Sequence, residues 1–153
     1  MEKGFTLLEL IVVIVILGIL ATLGFTQYTR ITERMRAAEA VAGISAMRKF
    51  VHQYWLENGT LTTITNSDVG VGSSSDQIPS SCRNTNYFFY SVGSQSQSSL
   101  EIRATRCTSG GKSPNYTTGS QYQIGMTYNP STGSGSFWCY DYGVGGTVSW
   151  CVP

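Results

Sequence analysis

The chain has 153 residues, with 10 Lys+Arg against 9 Asp+Glu and one His, and only 12% of it is charged, about half the roughly 25% of ordinary soluble domains. That length suits one domain with a modest core, and a net charge of +1 argues against a nucleic-acid binder, which needs a basic field to neutralise phosphates. One His and no acidic cluster leave few tools for catalysis, and four cysteines in a charge-poor chain point to an oxidising compartment.

Residues 5–25, FTLLELIVVIVILGILATLGF, carry Glu9 as their only charge. At about 1.5 Å per residue they make a helix of about 30 Å, the thickness of a bilayer core. A core helix in so small a domain would rarely be apolar on every face for that length. A secretory signal would have a longer charged start, a shorter apolar run and a small-residue cleavage site. The segment is therefore expected to be a retained membrane-spanning helix. A carboxylate inside it costs at least ~2.5–3.5 kcal/mol at a helix centre and less near an end. Glu9 is expected to lack a partner within its own helix. Either it snorkels to the headgroups, or it meets a positive charge from another copy, such as a free α-amino group.

The run Lys3-Gly4-Phe5-Thr6-Leu7-Leu8-Glu9, followed by LIVVIVILGILATL, resembles the prepilin signature of bacterial type IV pilins and type II secretion pseudopilins. The resemblance implies a leader at residues 1–4, cut by a prepilin peptidase between Gly4 and Phe5, with Phe5 then N-methylated. It implies that Glu9 meets the N-terminal amine of a neighbouring subunit during assembly. The implied life history is insertion in the inner membrane with the head outside the cytoplasm. Assembly machinery then polymerises the subunits into an extracellular helical homo-oligomer. Family members often have a proline where Thr26 stands, whereas here none occurs between residues 1 and 78. Gly18 and Gly24 weaken a helix by only about 1 kcal/mol each, so melting of residues 18–26 on assembly stays open.

Residues 26–57 read as the amphipathic half of the same helix. Tyr28, Ile31, Met35, Ala38, Val41, Ile44, Met47, Val51 and Tyr54 recur every three or four places and predict a core-facing stripe. Asn58-Gly59 supplies the stop, giving one helix from Phe5 to Glu57. Arg30, Arg34 and Arg36 just after the span would lie in the cytoplasm by the positive-inside bias. The prepilin reading and the cysteines place them outside, and Glu33 and Glu39 soften the conflict.

The remainder, 58–153, is expected to be a globular head. Residues 58–81 have the composition of a surface loop. Alternating runs at Asn86–Val92, Leu100–Thr105, Gln121–Tyr128, Phe137–Tyr142 and Thr147–Val152 predict four or five antiparallel strands. One face would pack on the helix stripe. The expected fold is thus α+β and type IV pilin-like: a long N-terminal helix, its first half transmembrane, against a 4–5-stranded antiparallel sheet. Four cysteines allow three pairings. A last hairpin centred on Gly145 would set Cys139 opposite Cys151, and Cys82 and Cys107 bracket the first hairpin, so Cys82–Cys107 and Cys139–Cys151 are the expected bridges. Each could add about 3 kcal/mol.

No metal site is expected: there is no CxxC, the lone His52 lies on the helix, and Asp68, Asp76 and Asp141 are too scattered for a calcium loop. Calcium stays in view only because pseudopilins of the resembled family can bind it in the head. No His–Asp pair or G-x-S-x-G activates a serine, and GVGG at 143–146 is a turn, so no catalytic residue and no cofactor is expected. Asn58-Gly-Thr and Asn115-Tyr-Thr fit the glycan acceptor triplet, which is common by chance in so Ser/Thr-rich a chain. The expected function is structural, as a pilus subunit. The alternatives are a secretion pseudopilin, or a minor pilin or membrane-tethered adhesive module. Two disulfides, a Ser/Thr-rich surface and a Cys-bounded last hairpin favour the pilin. Four basic against four acidic residues from 58 onward give a DNA-binding head no support.

Overall fold

A computed structural model describes residues 6–116 and 121–151. One helix, α1, runs Leu7–Asn58; no proline interrupts it, and straight-chain and Ala residues fill its second half. It stops at Gly59, whose φ of +67° suits glycine alone at little cost. The Gly59 N–H donates to the Trp55 carbonyl at 2.8 Å, which satisfies one carbonyl of the last turn, and Asn58 Nδ2 adds a bond to the Tyr54 carbonyl at 2.9 Å. The expected start at Phe5 lies outside the described residues.

The chain forms two compact units, Met1–Glu33 and Arg34–Pro153. The dividing line falls inside α1, eight residues beyond the boundary expected at 25/26, because the helix residues from 34 onward share a core with the sheet. In the first unit, residues 6–25 are exposed on every face.

In the second unit the helix buries Ala37, Ala40, Ile44, Met47 and Val51, with Tyr54 and Trp55 at the edge. The predicted stripe is right from Ile44 onward and wrong before it: Met35 is 71% exposed and Ala38 faces solvent. Four consecutive steps of three, from 35 to 47, turn progressively off one face. The observed steps alternate three and four, which keeps one line facing the sheet. Small residues at 37, 40 and 43 let the sheet approach closely. The ring of Tyr90 occupies the space that a Cβ on Gly43 would need, and its hydroxyl donates to the Glu39 carbonyl at 3.0 Å. Burial, helped by the Glu39 charge, pushes the Tyr90 phenol well above its usual range, so it stays a neutral donor.

After α1 come a 3-10 turn, Ser67–Val69, and two short strands, β1 (Val71–Gly72) and β2 (Ile78–Pro79), paired in parallel. This stretch is more than the expected surface loop. It buries Leu61, Ile64, Val69 and Val71 in the core. It also covers the free edge of the main sheet: the Val92 N–H donates to Asn66 Oδ1 at 2.8 Å, and Gln95 Nε2 to the Thr62 carbonyl at 2.6 Å, which blunts an edge that would otherwise invite pairing.

The main sheet is an antiparallel meander of five strands in sequence order: β3 Phe88–Gln95, β4 Leu100–Arg106, β5 Tyr122–Asn129, β6 Ser134–Asp141 and β7 Gly146–Thr147. Phe88, Tyr90, Leu100, Ile102, Ala104, Tyr122, Ile124, Met126, Tyr128 and Cys139 form its buried inner face, as period-two alternation requires. β6 begins at Ser134 rather than Phe137 because the preceding turn sets the register. Asn129 Oδ1 accepts from the Ser131 amide and hydroxyl at 3.0 and 2.6 Å, Gly133 has φ +68°, and the ladder then runs from Asn129↔Ser134 whatever the local propensity. Arg106 closes the inner face of β4. Its guanidinium is fully buried, donates to the carbonyls of Tyr87, Cys107 and Pro114, and lies 5.1 Å from the Tyr87 ring centre.

Disulfides join Cys82 to Cys107 and Cys139 to Cys151, with Cα separations of 5.8 and 6.1 Å. The second does not arise as expected. Thr147 pairs with Tyr140 and the Val148 N–H meets the Cys139 carbonyl at 3.0 Å, so Cys151 is not opposite Cys139. The hairpin is centred nearer 143–144, because the Gly143 N–H donates to Asp141 Oδ1 at 2.8 Å and the Gly145 N–H to the Asp141 carbonyl at 2.9 Å. A following turn brings Cys151 back, held by Arg34 Nε on the Trp150 carbonyl at 2.8 Å and by Trp150 stacked edge-on to Tyr122. The expected strand Thr147–Val152 is thus two residues long, with Val152 outside the described residues.

Gly43→Val should overpack the Tyr90 contact and destabilise the second unit by about 1–3 kcal/mol. Cys82→Ser with Cys107→Ser should cost about 2–5 kcal/mol. Denaturant unfolding of the detergent-solubilised chain, followed by circular dichroism, measures both.

Candidate functional site

The start of α1 combines an exposed apolar run, Leu7–Phe25, with a single carboxylate. Thr6 and Glu9 form a capping box, with the threonine at the helix N-cap and the glutamate three residues on. Glu9 Oε2 accepts from the Thr6 amide at 2.9 Å and from its hydroxyl at 2.8 Å, while the Glu9 amide lies 3.3 Å from Thr6 Oγ1. The expectation that Glu9 lacks a partner in its own helix is therefore corrected. The signal was present as Thr6-x-x-Glu9, the Ser/Thr-x-x-Glu spacing that marks a helix start. The arrangement satisfies N–H groups at the helix end and holds the negative charge where the helix dipole favours it.

Beyond Glu9, the stretch Leu7–Phe25 is long and apolar enough to cross a membrane, and none of it is buried within the protein. Leu7, Leu8, Leu17, Leu20, Leu23 and Phe25 are each between 59% and 76% exposed. A soluble protein does not leave a surface of this kind in water; it marks a place that lipid or protein covers. Gly4 and Phe5, the expected processing residues, lie outside the described residues.

The other candidates have structural tasks. Asp68 accepts from the Thr65 hydroxyl and amide at 2.6 and 2.7 Å, and these bonds hold its carboxyl below the usual range. Asp141 organises the β6–β7 turn. His52 Nδ1 lies 3.1 Å from the Tyr128 hydroxyl, beside Trp55. No group of three or more His, Cys, Asp or Glu that could hold a metal ion occurs among the described residues.

A family model, the prokaryotic N-terminal methylation motif, matches residues 1–25. This segment is the hallmark of type IV pilins and pseudopilins. No curated protein matches the chain. The long N-terminal apolar helix followed by a five-stranded antiparallel sheet is the α+β pilin-like architecture. The motif points to a structural protein rather than an enzyme, to processing by a prepilin peptidase and to filament assembly. Together with the apolar helix it fits anchoring in the inner membrane.

Thr6→Ala should remove the cap at a cost of about 0.5–2 kcal/mol. Hydrogen exchange on the solubilised chain should then show the amides of residues 7–9 exchanging roughly 2- to 30-fold faster.

Proposed function

We propose that the chain is the structural subunit of a type IV pilus filament, cut between Gly4 and Phe5, methylated on Phe5 and polymerised through α1. The observation that carries this reading is the bare apolar surface of Leu7–Phe25 behind a capped carboxylate, within a methylation motif. In the inner membrane lipid covers that surface, and residues 34–153 stand on the outer side, where disulfides persist. Extraction then exchanges lipid for the same segments of other copies. A head-to-tail contact repeated with a fixed rotation does not close, and gives a filament.

Glu9 acts as the register key. Its bonds to Thr6 both fall on Oε2 and moderate the cost of carrying a carboxylate in lipid before a partner arrives. In the filament the methylated amine of a neighbour's Phe5 becomes that partner. Two unit charges 4 Å apart attract by about 4 kcal/mol at an effective dielectric of 20, and a subunit seated one step out of register leaves both charges buried and unpaired, which costs several kcal/mol. The bridged, Ser/Thr-rich second unit suits a surface exposed outside the cell and favours the pilus over the secretion pseudopilin.

Glu9→Ala should leave the protein in the membrane at normal level and reduce sheared surface filaments, counted by electron microscopy, at least tenfold. Wild-type filament yield from that variant would remove the register role. Gly4→Leu should leave the leader in place, seen as an uncut and unmethylated chain by intact mass. Wild-type cells without surface filaments, in which the same chain supports protein secretion, would favour the pseudopilin.

A further inference from the structure

The outer face of the main sheet is uneven. Ser91, Thr127 and Ser136 lie on it, while the planar groups collect around β6, where Trp138 and Tyr140 alternate outward and Tyr142 follows the strand. The Tyr140 and Tyr142 rings meet edge to face at 5.0 Å, and Tyr142 is 49% exposed. These aromatics border an open cleft of about 380 Å³ together with Gln123, Glu101 and Arg103, a volume within the range of small-molecule sites.

Two glycines make the surface flat. Register aligns Arg103, Gly125 and Trp138 in one cross-strand row. A Cβ on Gly125 would overlap Trp138 Cζ2, Cε2 and Cη2 at nearly equal distances, so the six-membered ring lies with its face on the bare backbone. The Arg103 guanidinium lies in the same way over Gly93. Arg103 donates to Glu101, so the pair adds no net charge. Gln123 Nε2 donates to Thr105 Oγ1 at 3.0 Å. Its amide oxygen, the indole N–H of Trp138 and the hydroxyls of Tyr140 and Tyr142 have no protein partner among the described residues.

We propose that this cleft binds a neutral saccharide. A pyranose ring has an apolar C–H face and a rim of hydroxyls that both donate and accept. The flat indole takes the face, by burial and by the attraction of C–H groups for the negative face of the ring. The Gln123 oxygen, the Tyr hydroxyls and the Glu101–Arg103 pair take the rim, where planar groups with paired sites suit neighbouring hydroxyls. An apolar peptide side chain would cover the same donors and acceptors without meeting them, which is unfavourable. An anionic ligand would find Arg103 already engaged by Glu101. The site goes beyond the filament reading and does not rest on it, since it is complete in one chain.

The test uses the full-length, processed chain in a detergent without a sugar headgroup. It is titrated with cellotriose, with triacetylchitotriose and with sialyllactose, and followed by isothermal titration calorimetry. At least one of the two neutral trisaccharides should bind, and sialyllactose should bind more weakly. The bound sugar should also protect Trp138 from oxidation by N-bromosuccinimide, mapped by mass spectrometry, a readout that needs no variant. Trp138→Ala should weaken binding about tenfold. Gly125→Val, which keeps the indole but lifts it from its seat, should weaken it in the same direction. Both variants should retain the wild-type far-ultraviolet spectrum and both disulfides. No binding by either neutral sugar, equal binding by Trp138→Ala, or tighter binding of sialyllactose would overturn the proposal. So would protection of Trp138 in assembled filaments without sugar binding by the single chain, which would make the cleft a subunit contact. Loss of filaments in Glu9→Ala leaves this result unchanged, so the two readings fail separately.

Discussion

The seam of Ala37, Ala40, Gly43, Ile44, Met47 and Val51 is the interaction on which the second unit depends. Five strands in a meander make only neighbour-to-neighbour hydrogen bonds, and their inner face of Tyr, Ile, Leu and Met needs a surface to bury against. The helix provides it, with small residues where the sheet comes closest and larger ones beyond. Tyr90 shows the consequence at one point: its ring fills the space over Gly43 and its hydroxyl reaches the Glu39 carbonyl. The Glu39 side chain in turn receives the Tyr87 amide at 2.9 Å. Side chain, backbone and strand entry are fixed together.

The same helix meets the opposite requirement before residue 34. There the apolar surface surrounds the rod and the protein itself covers none of it. One regular helix thus carries two solvent demands in sequence, and the backbone does not record the change. Only the side chains do, passing from aliphatics on every face to a narrow seam flanked by Arg48, Lys49 and Glu57. The capping box at Thr6 and Glu9 closes the apolar end and holds the carboxylate on the Thr6 amide and hydroxyl.

Stability in the second unit is distributed over ties that link distant parts of the chain. Arg34 holds the turn before Cys151, Arg48 Nη2 donates to the Gly133 carbonyl at 3.0 Å, and Arg106 gathers three carbonyls around the first disulfide. Each arginine uses its planar fork on backbone acceptors. That accounts for much of the scarce charge in this part of the chain: several cations are fasteners rather than surface solvators. The remaining polar surface is hydroxyl and amide, which keeps the outer sheet face neutral.

The sequence by itself determined the apolar span, the motif around Gly4 and Glu9, the single long helix with its Asn58-Gly59 stop, and the order of the main strands, counted as four or five. These are local signals: unbroken hydropathy, spacing along a helix, and alternation along a strand. The capping box was equally local, and legible in Thr6-x-x-Glu9. Only the tertiary structure decided the phase of the seam at 37 and 40, because Ala and Gly carry little hydropathy and are chosen there for closeness. It also decided the β6–β7 register, which the hydrogen bonds of Asp141 set against a simple count from Gly145. The flat seat of Trp138 on Gly125 was likewise out of reach, since those residues are 13 apart in sequence and meet only when the hairpin turn at Asn129 aligns them.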